Sequence, residues 1–457
     1  LKERLIGIEL FQLPPDFDTS QHAIVRVTAN EVRKRLAQYY LADGGSHHPV
    51  RIDLPPGSYT PEFKWDVPIQ KPRGKKEVTW KLKRFLLPAI AVAVTVVVLV
   101  GLAMWRRQAD KPATYGGAPN AAIKPVQAVL PHEGDLRISV GSTSSYTDRN
   151  GRSWEPDRFF SGGIALTRTT ERIYRTLDPD IYRRLRVGDF RYDIPLKPGF
   201  YELHLHFAET GLSDSMSMES SGEGQRIFLV TANGKPLLEL FDVVADAAGA
   251  NIADERVFRD ITPAADGFLH LSFTSLKGSA ILSGIELLPV GQGKVRPIRI
   301  RAGWPASWVD GNRQQWLADS YLLGGNALVR TKNPVEDGFL TQPDAALYAS
   351  ERWGHFSYAV PVADGQYRVT LRFCEGHYGK RNTGVGGVGS RLFDVYCNGV
   401  ALLREFDIFK QAGGEGRPVS RTFSGIRPTA QGKIVLTFVP VKGMACVNGI
   451  EIVEDTK

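Results

Sequence analysis

The most apolar stretch of this chain covers residues 85–105, FLLPAIAVAVTVVVLVGLAMW, and contains no charged side chain. An α-helix rises about 1.5 Å per residue, so this stretch would span roughly 30 Å, the thickness of the hydrocarbon core of a bilayer. A helix that is apolar all round lies either in a large core or in a membrane, and core helices are usually shorter. The pattern therefore predicts a transmembrane helix over residues 85–105, retained as a signal-anchor.

Lysine and arginine are distributed unequally on the two sides of this stretch. Residues 66–84, the basic juxtamembrane segment, contain seven of them, whereas the fifteen residues after the span contain three. Because the more basic flank stays in the cytoplasm, we expect a single-pass protein of the inner (plasma) membrane with a cytoplasmic N-terminus. The C-terminal part would then be periplasmic or extracellular. Residues 106–135, rich in Ala, Pro and Gly, are typical of a flexible linker.

Residues 1–65 combine a helical pattern with a hairpin pattern. Apolar residues at helical spacing occur over 29–41, and two short strand-like runs over 50–63 flank a Pro-Pro-Gly turn. This order resembles the second half of the winged helix of response-regulator-type transcription factors. The resemblance implies that the helix bearing Arg33, Lys34 and Arg35 enters the major groove of DNA. The segment carries eight basic and eight acidic residues, so a domain that binds protein instead of DNA stays open.

The remainder of the chain repeats itself with a period of about 160 residues, which is the size of a domain. The matching blocks are 154–163 with 316–325, 192–209 with 358–375, and 224–243 with 389–408. Each copy contains short runs of alternating hydrophobicity, as in YELHLHF and YRVTLRF. Turn residues separate these runs, among them Asn233-Gly234 and Asn398-Gly399. This pattern predicts a mainly β protein with two β-sandwich domains, over residues 136–290 and 296–455.

The repeated blocks resemble the malectin family. The similarity is carried by LYASERWGHFSYAVPVADGQYRVTLRFCE (347–375), GSRLFDVYCNG (389–399) and VNGIEI (447–452), together with their counterparts in the first copy. The resemblance implies jelly-roll-like sandwiches similar to carbohydrate-binding modules, with sugar-stacking aromatic residues in loops at one end. An oligosaccharide or a cell-envelope glycan would then be the ligand.

The aromatic residues that the resemblance implies are present in the second copy. The positions that match the family's site are Tyr321, Trp353, Glu375, His377 and Tyr378. In the first copy the corresponding positions hold Val187, Gly211 and Leu212, with Phe159 or Phe160 at the position of Tyr321. Most of the rings are thus absent, so the first domain is expected to act as a spacer or packing partner. An aromatic ring beside hydrogen-bonding groups suits a sugar, which has an apolar face and a rim of hydroxyl groups.

No catalytic or metal site is predicted. A glycosidase needs two carboxylates across a cleft, but Glu209 and Glu375, like Asp242 and Asp407, occur in both copies, which indicates a structural role. The chain contains no CxxC or HExxH pattern, and its three cysteines lie in apolar, strand-like runs where a thiol acts as a small hydrophobe. We therefore expect a non-enzymatic protein without a cofactor.

Two functional hypotheses follow from the whole sequence. In the first, the chain is a membrane-anchored carbohydrate-binding protein and a one-component, sugar-responsive transcriptional regulator, whose partners are glycan, lipid bilayer, DNA and a second copy of itself. In the second, it is a cell-envelope glycan-binding anchor with no DNA-binding role. A glycoside hydrolase is the less favoured third interpretation.

Overall fold

The computed structural model describes the two repeated domains and part of the N-terminal segment. The described residues are 5, 6, 8, 25, 28, 29, 32, 33, 50–55, 59–65, 132–168, 172–210, 222–336 and 342–455. The predicted transmembrane helix, the basic juxtamembrane segment and most of the predicted linker lie outside this set, as do Lys34 and Arg35. Among the described residues, no helix has the length and apolarity needed to cross a membrane.

The predicted N-terminal hairpin is present. Strand β1 (Val50–Asp53) pairs with β2 (Glu62–Trp65) in a two-stranded sheet. Arg33 joins the preceding helical segment to this hairpin, because its guanidinium donates hydrogen bonds to the carbonyls of Leu54, at 2.9 Å, and Pro55, at 3.1 Å.

The helical segment before the hairpin differs from the prediction in its start and its buried face. Val25 and Thr28 are already helical, so the helix begins before the predicted start at residue 29. Val25 and Ala29 are buried, whereas Val32, expected on the apolar face, is 41% exposed. The side chains that pack inward thus lie one turn before the predicted stripe.

The first sandwich contains twelve strands in two sheets. Its strands are β3 (Leu136–Ser139), β4 (Tyr146–Thr147), β5 (Ser153–Pro156), β6 (Phe160–Thr167), β7 (Arg184–Pro195), β8 (Phe200–Phe207), β9 (Ile227–Ala232), β10 (Lys235–Phe241), β11 (Asp254–Ile261), β12 (Phe268–Lys277), β13 (Ile281–Leu282) and β14 (Gly284–Val290). One sheet has the order β10-β9-β12-β7-β13 with β6 also on β7, and the other has the order β11-β8-β14-β3-β5-β4. Two short helices, α1 (Pro179–Arg183) and α2 (Val243–Ala247), connect strands.

The second sandwich repeats this arrangement. Its strands are β15 (Ile298–Arg301), β16 (Trp308–Val309), β17 (Gln315–Trp316), β18 (Leu322–Val329), β19 (Ser350–Pro361), β20 (Tyr367–Cys374), β21 (Leu392–Cys397), β22 (Val400–Phe406), β23 (Pro418–Ile426), β24 (Lys433–Lys442), β25 (Ala445–Val447) and β26 (Gly449–Glu454). The sheets have the orders β18-β19-β24-β21-β22, with β25 on β19, and β15-β26-β20-β23, beside a β16-β17 ribbon. The helices are α3 (Gln342–Ala345), a 3₁₀ turn (Ala346–Ala349) and α4 (Ile408–Ala412). The mainly β fold predicted from the repeat is confirmed.

Each sandwich has its own apolar core, built by side chains that alternate along the strands. In β8 the inward residues are Tyr201, Leu203, Leu205 and Phe207, and in β20 they are Tyr367, Val369, Leu371 and Phe373. Successive side chains of a strand point to opposite faces, so each second residue of these strands enters the core. The predicted turns are formed at Asn233-Gly234 and Asn398-Gly399, where both residues adopt positive φ as a tight hairpin turn requires.

The outer face of β8 is buried by side chains of both sandwiches: the rings of Trp154 and Tyr182, from the first sandwich, pack on His206, and Tyr321 of the second sandwich lies beside Glu255. Contacts between the two sandwiches are polar and ionic: Lys433 to Asp246 (2.7 Å) and Asp254 (2.6 Å), Arg259 to Glu454 (2.7 Å), and the amide of Ala318 to Asn150 (2.9 Å). Ion pairs that are removed from water hold their geometry only when each charge is matched, and here the partners come from both domains.

A cluster of histidine and glutamate lies at the centre of this outer face. Both ring nitrogens of His204 meet carboxylates, Nδ1 with Glu255 at 2.6 Å and Nε2 with Glu202 at 2.7 Å. Burial by itself would lower the pKa of His204, but the two carboxylates outweigh it and raise the pKa to about 10. Tyr321, from the second sandwich, lies beside Glu255, and burial together with the charge of Glu255 raises the pKa of its hydroxyl. His204 is therefore a charged group between two acids, beside the contact with the second sandwich.

We expect the free energy of unfolding of the tandem domains to fall as the pH rises from about 7 to about 10. A histidine whose pKa is raised by folding contributes stability that is complete below the unfolded pKa of about 6.5. That contribution is lost as the pH passes the folded pKa of His204, about 10. Urea unfolding at several pH values measures this decrease in the free energy of unfolding. In His204→Gln the decrease between pH 7 and pH 10 should be smaller than in the wild type by about 1–3 kcal/mol.

His132→Gln is the matched control for this experiment, because the His132 ring meets the backbone carbonyl of Asp135 and not a carboxylate. That variant should keep the pH dependence of the wild type. Equal slopes for the wild type and His204→Gln would show that the cluster does not contribute in this way.

Candidate functional site

A buried ion pair forms the base of the candidate site in the second sandwich. Glu375 follows β20 and Arg391 precedes β21, and both are almost fully buried. Arg391 Nε lies 2.7 Å from Glu375 Oε2, and Nη2 lies 3.2 Å from Oε1. The first sandwich repeats the pair as Arg226 and Glu209, with Nε 2.6 Å from Oε2. The repeated glutamate thus has the structural role that its presence in both copies predicted.

Glu375 also shapes the loop that carries the predicted aromatic residues. Its Oε1 accepts hydrogen bonds from the backbone amides of His377, at 2.9 Å, and Tyr378, at 3.0 Å. The Tyr378 ring lies against the guanidinium of Arg391, with 5.3 Å from the carbon of the guanidinium to the ring centroid. The rings of His377 and Tyr378 meet edge to face, with their centroids 4.7 Å apart. Three of the five predicted residues, Glu375, His377 and Tyr378, therefore lie together.

A cleft of about 770 Å³ opens beside His377. Its walls come from the segment after β18, from the loop after β20 and from the segment before β23. The polar lining residues are Arg330, Thr331, Lys332, Asn333, Glu336, His377, Arg381, Asn382, Thr383 and Glu415. Cavities of about this volume hold small molecules in other proteins, and the lining supplies hydrogen-bond donors and acceptors of both charges.

Trp353 does not lie in this cleft. It lies within β19, where it pairs with Asn326 and Cys446, and its half-buried ring packs on the core of the second sandwich. A bulge causes this placement, because the pairing of β18 with β19 shifts register between Gly324 and Asn326. An extra residue in β19 reverses the alternation of side chains, so Trp353 turns towards the interior.

Tyr321 is also apart from the cleft. Its φ is +65°, and its hydroxyl reaches Glu255 of the first sandwich. Burial, the largest cause, raises its pKa well above the usual value for tyrosine, together with the nearby charge of Glu255. Tyr321 therefore contributes to the contact between the two sandwiches.

Arg391 is the residue that the sequence interpretation missed. A signal was available in the repeat, since Arg226 and Arg391 occupy the same position in GQRIF and GSRLF. A cation repeated beside a repeated acid at a strand end indicates a buried pair. Arg330 was missed as well, and it lines the cleft while pairing with buried Glu351 at 2.9 Å.

The repeated carboxylates are occupied by structural bonds. Glu375 is paired with Arg391, and Asp407 caps α4 by accepting a hydrogen bond from the amide of Lys410 at 3.0 Å. Asp242 caps α2 in the same manner through Val244 at 2.9 Å. A pair of carboxylates engaged in this way does not provide the acid and the nucleophile or base of a glycosidase.

The His–Glu cluster of the first sandwich is the group whose geometry comes nearest to a metal site among the described residues. One ligand atom from each of His204, Glu255 and Glu286 lies within 4.8 Å of the others. Both nitrogens of His204 already face carboxylates, and Glu286 is paired with Arg137 at 2.6 Å and Arg152 at 3.3 Å. The carboxylates of the cluster are therefore already neutralised by protonated His204 and by the two arginines. We interpret the cluster as part of the contact between the two sandwiches and not as a metal site.

The three cysteines are thiols inside the second sandwich. Cys374, Cys397 and Cys446 are all buried and not in disulfides. Burial raises the pKa of Cys397 to about 11, and it raises those of the other two further. A thiol that stays protonated is a poor nucleophile and a poor metal ligand, so these residues act as small apolar side chains.

Known proteins resemble this chain over part of its length. A probable receptor-like protein kinase of Arabidopsis thaliana is 24% identical over 389 residues, which cover 70% of this chain and 44% of the relative. The kinesin-like protein KIN-14R of the same plant is 30% identical over 183 residues, 39% of this chain and 16% of the relative. The chain spans less than half of the length of these curated relatives.

Solved structures with similar folds include the ANX2 ectodomain from Arabidopsis thaliana. It is 20% identical with a TM-score of 0.38, and the match covers 70% of this chain and 97% of that one. The plant receptor-like kinase FER is 19% identical with a TM-score of 0.39, over 70% of this chain and 96% of that one.

A family model gives the clearest assignment. The malectin domain model matches residues 135–285 and 297–452, which together form more than half of the chain. The match does not reach residues 1–65, so the winged-helix resemblance gains no support from it. With two copies of this domain in tandem, the chain belongs to the malectin domain family.

Proposed function

We propose that the second malectin domain binds carbohydrate at the loop end where His377 lines the cleft and Tyr378 packs against His377. The observation that carries the proposal is the buried Glu375–Arg391 pair, because Glu375 holds the amides of His377, which lines a polar cavity of about 770 Å³, and of Tyr378, whose ring meets that of His377. An aromatic face packs on the CH face of a sugar, and nearby polar groups bind its hydroxyls.

The cleft contains polar groups that are already oriented. The side-chain amide of Asn382 donates a hydrogen bond to the carbonyl of Tyr378 at 3.1 Å, which leaves its oxygen as an acceptor. Arg381 is braced by Glu415 and Glu336, each at 3.5 Å. Pre-oriented groups lose little conformational freedom when a ligand binds, which favours recognition of a polar ligand by a few direct contacts.

The first malectin domain has another role in this proposal. Its loop positions Gly211 and Leu212 offer no ring in the sequence and lie outside the described residues. Its Asp246 and Asp254 pair with Lys433 of the second domain, and its Glu255, beside His204, lies next to Tyr321. We propose that it acts as a spacer and packing partner.

Tyr378→Ala should weaken glycan binding of the tandem domains by about tenfold, the scale of one lost ring contact. The measurement is a glycan array followed by titration of the sugars that bind. Tyr396→Ala is the matched control, because Tyr396 is a half-buried tyrosine towards the other end of β21, bonded to Asp394 at 3.0 Å. Unchanged binding of Tyr378→Ala, or equal loss in both variants, would contradict the site.

We further propose that a transmembrane helix at 85–105 anchors the two domains outside the cytoplasm. In the regulator hypothesis, sugar occupancy changes dimerisation and so changes contact of residues 1–65 with DNA. One observation favours the anchor alternative: Arg33, one of the three proposed DNA contacts, is bonded to the hairpin through Leu54 and Pro55. DNA binding would then depend on Lys34 and Arg35.

The regulator hypothesis predicts that the full chain in lipid nanodiscs enriches a specific duplex from randomised DNA at moderate salt. Lys34→Glu with Arg35→Glu should abolish the enrichment, because each charge reversal removes a phosphate contact and adds repulsion. Lys235→Glu, on the first malectin domain, is the control and should keep it. If no duplex is enriched at any salt concentration, the regulator hypothesis is wrong and only the anchor hypothesis is left.

A further inference from the structure

Four exposed apolar side chains surround the Tyr378 loop, and we name them the tip cluster. They are Val385, Val388, Val441 and Met444, exposed by 98%, 64%, 51% and 40%. The first two belong to the segment 384–389, GVGGVG, whereas Val441 lies near the end of β24 and Met444 lies in the turn between β24 and β25. Single exposed apolar residues are ordinary, but four on two adjoining loops form a patch that indicates an interaction.

The two loops pack against one another through Tyr378. A Cβ on Gly386 would lie 3.1 Å from the ring of Tyr378, and a Cβ on Gly443 would lie 3.1 Å from its hydroxyl. Both positions have positive φ, so glycine permits the close approach. The amide of Gly384 donates to the carbonyl of His377 at 2.8 Å, which ties the base of the loop. The valines are therefore held outward.

Lysines surround the tip cluster. Lys380, Lys410 and Lys442 are exposed and lie close to it in the chain or in the fold. Within the part of the chain that the structure describes, none of these three has a carboxylate within ion-pair distance. The nearby Asp407 is buried and bonded to the amides of Gly389 and Lys410. The patch thus combines protruding apolar tips with a basic rim.

We propose that the tip cluster docks on an anionic lipid bilayer surface. Protruding valines suit a deformable phase, into which they insert to the depth of the headgroups, while lysines bind the lipid phosphates. The predicted span at 85–105 and the linker at 106–135 would hold the domain within tens of ångströms of a bilayer, so a weak contact would be populated. Binding to a bilayer would be a further property of the second domain, beyond the proposed carbohydrate binding, and it does not require that a sugar is bound.

The test is flotation of residues 132–455 with lipid vesicles. This fragment holds both cores and all the described contacts between the sandwiches, and it leaves out the predicted span, which would itself insert. We expect binding to vesicles of phosphatidylcholine mixed with phosphatidylglycerol, and weaker binding in high salt or to phosphatidylcholine alone. Val385→Asp should lower the ratio of bound to unbound protein about tenfold.

Val400→Asp is the matched control, because Val400 is 68% exposed at the start of β22, at the end of the sandwich remote from Arg391. It should leave vesicle binding unchanged. The proposal is overturned if the wild-type fragment does not float, or if both variants lose binding equally.

A glycan array on the same variants separates this proposal from carbohydrate binding. Retained glycan binding by Val385→Asp, with lost flotation, supports docking as a separate property of the tip cluster. Loss of glycan binding by that variant, with flotation unchanged, would assign the cluster to the sugar site and overturn the docking proposal.

Discussion

The candidate site depends on the ion pair between Glu375 and Arg391. Both charges are withdrawn from water, so each requires the other, and removing one partner of such a pair typically costs about 3–5 kcal/mol. The pair joins the end of β20 to the start of β21, and the remaining lone pairs of the carboxylate bind the amides of His377 and Tyr378. One interaction therefore closes the sandwich and also fixes the direction of the two rings.

The same pair occurs in the first sandwich as Glu209 and Arg226, which separates the fold from the function. An ion pair present in both copies is a property of the fold, whereas the loop that follows the glutamate differs between the copies. Binding chemistry commonly resides in loops placed on a shared scaffold. In the second copy this loop carries His377 and Tyr378. The two copies therefore share the ion pair and differ in the residues of the loop beside it.

Much of the fold could be predicted from the sequence, because short periodic patterns and turns are local. The Asn-Gly turns at 233 and 398 and the alternation in β8 and β20 are of this kind. The direction of Trp353 could not be predicted, since a bulge in β19 reverses the alternation and turns the ring inward. Glycine at the equivalent positions 188 and 354, both with positive φ, was the one signal of that bulge.

Tyr321 shows a different limit of prediction from the sequence. Similarity of one domain to a family gives no information about how that domain contacts the adjacent domain. The residue occupies a position with positive φ, as does Phe159 in the first copy, but its hydroxyl meets Glu255 of the other sandwich. The reason is the outer face of β8, where Glu202, His204 and His206 are all buried. His206 packs on Trp154 and Tyr182 of its own sandwich, whereas Glu255, beside His204, lies next to Tyr321. On β20, the equivalent strand, Arg368 is exposed and Thr370 and Arg372 are half-exposed. The two copies are therefore not interchangeable: the first carries a buried His–Glu cluster beside Tyr321 of its neighbour, and the second carries His377 and Tyr378 in the loop after β20.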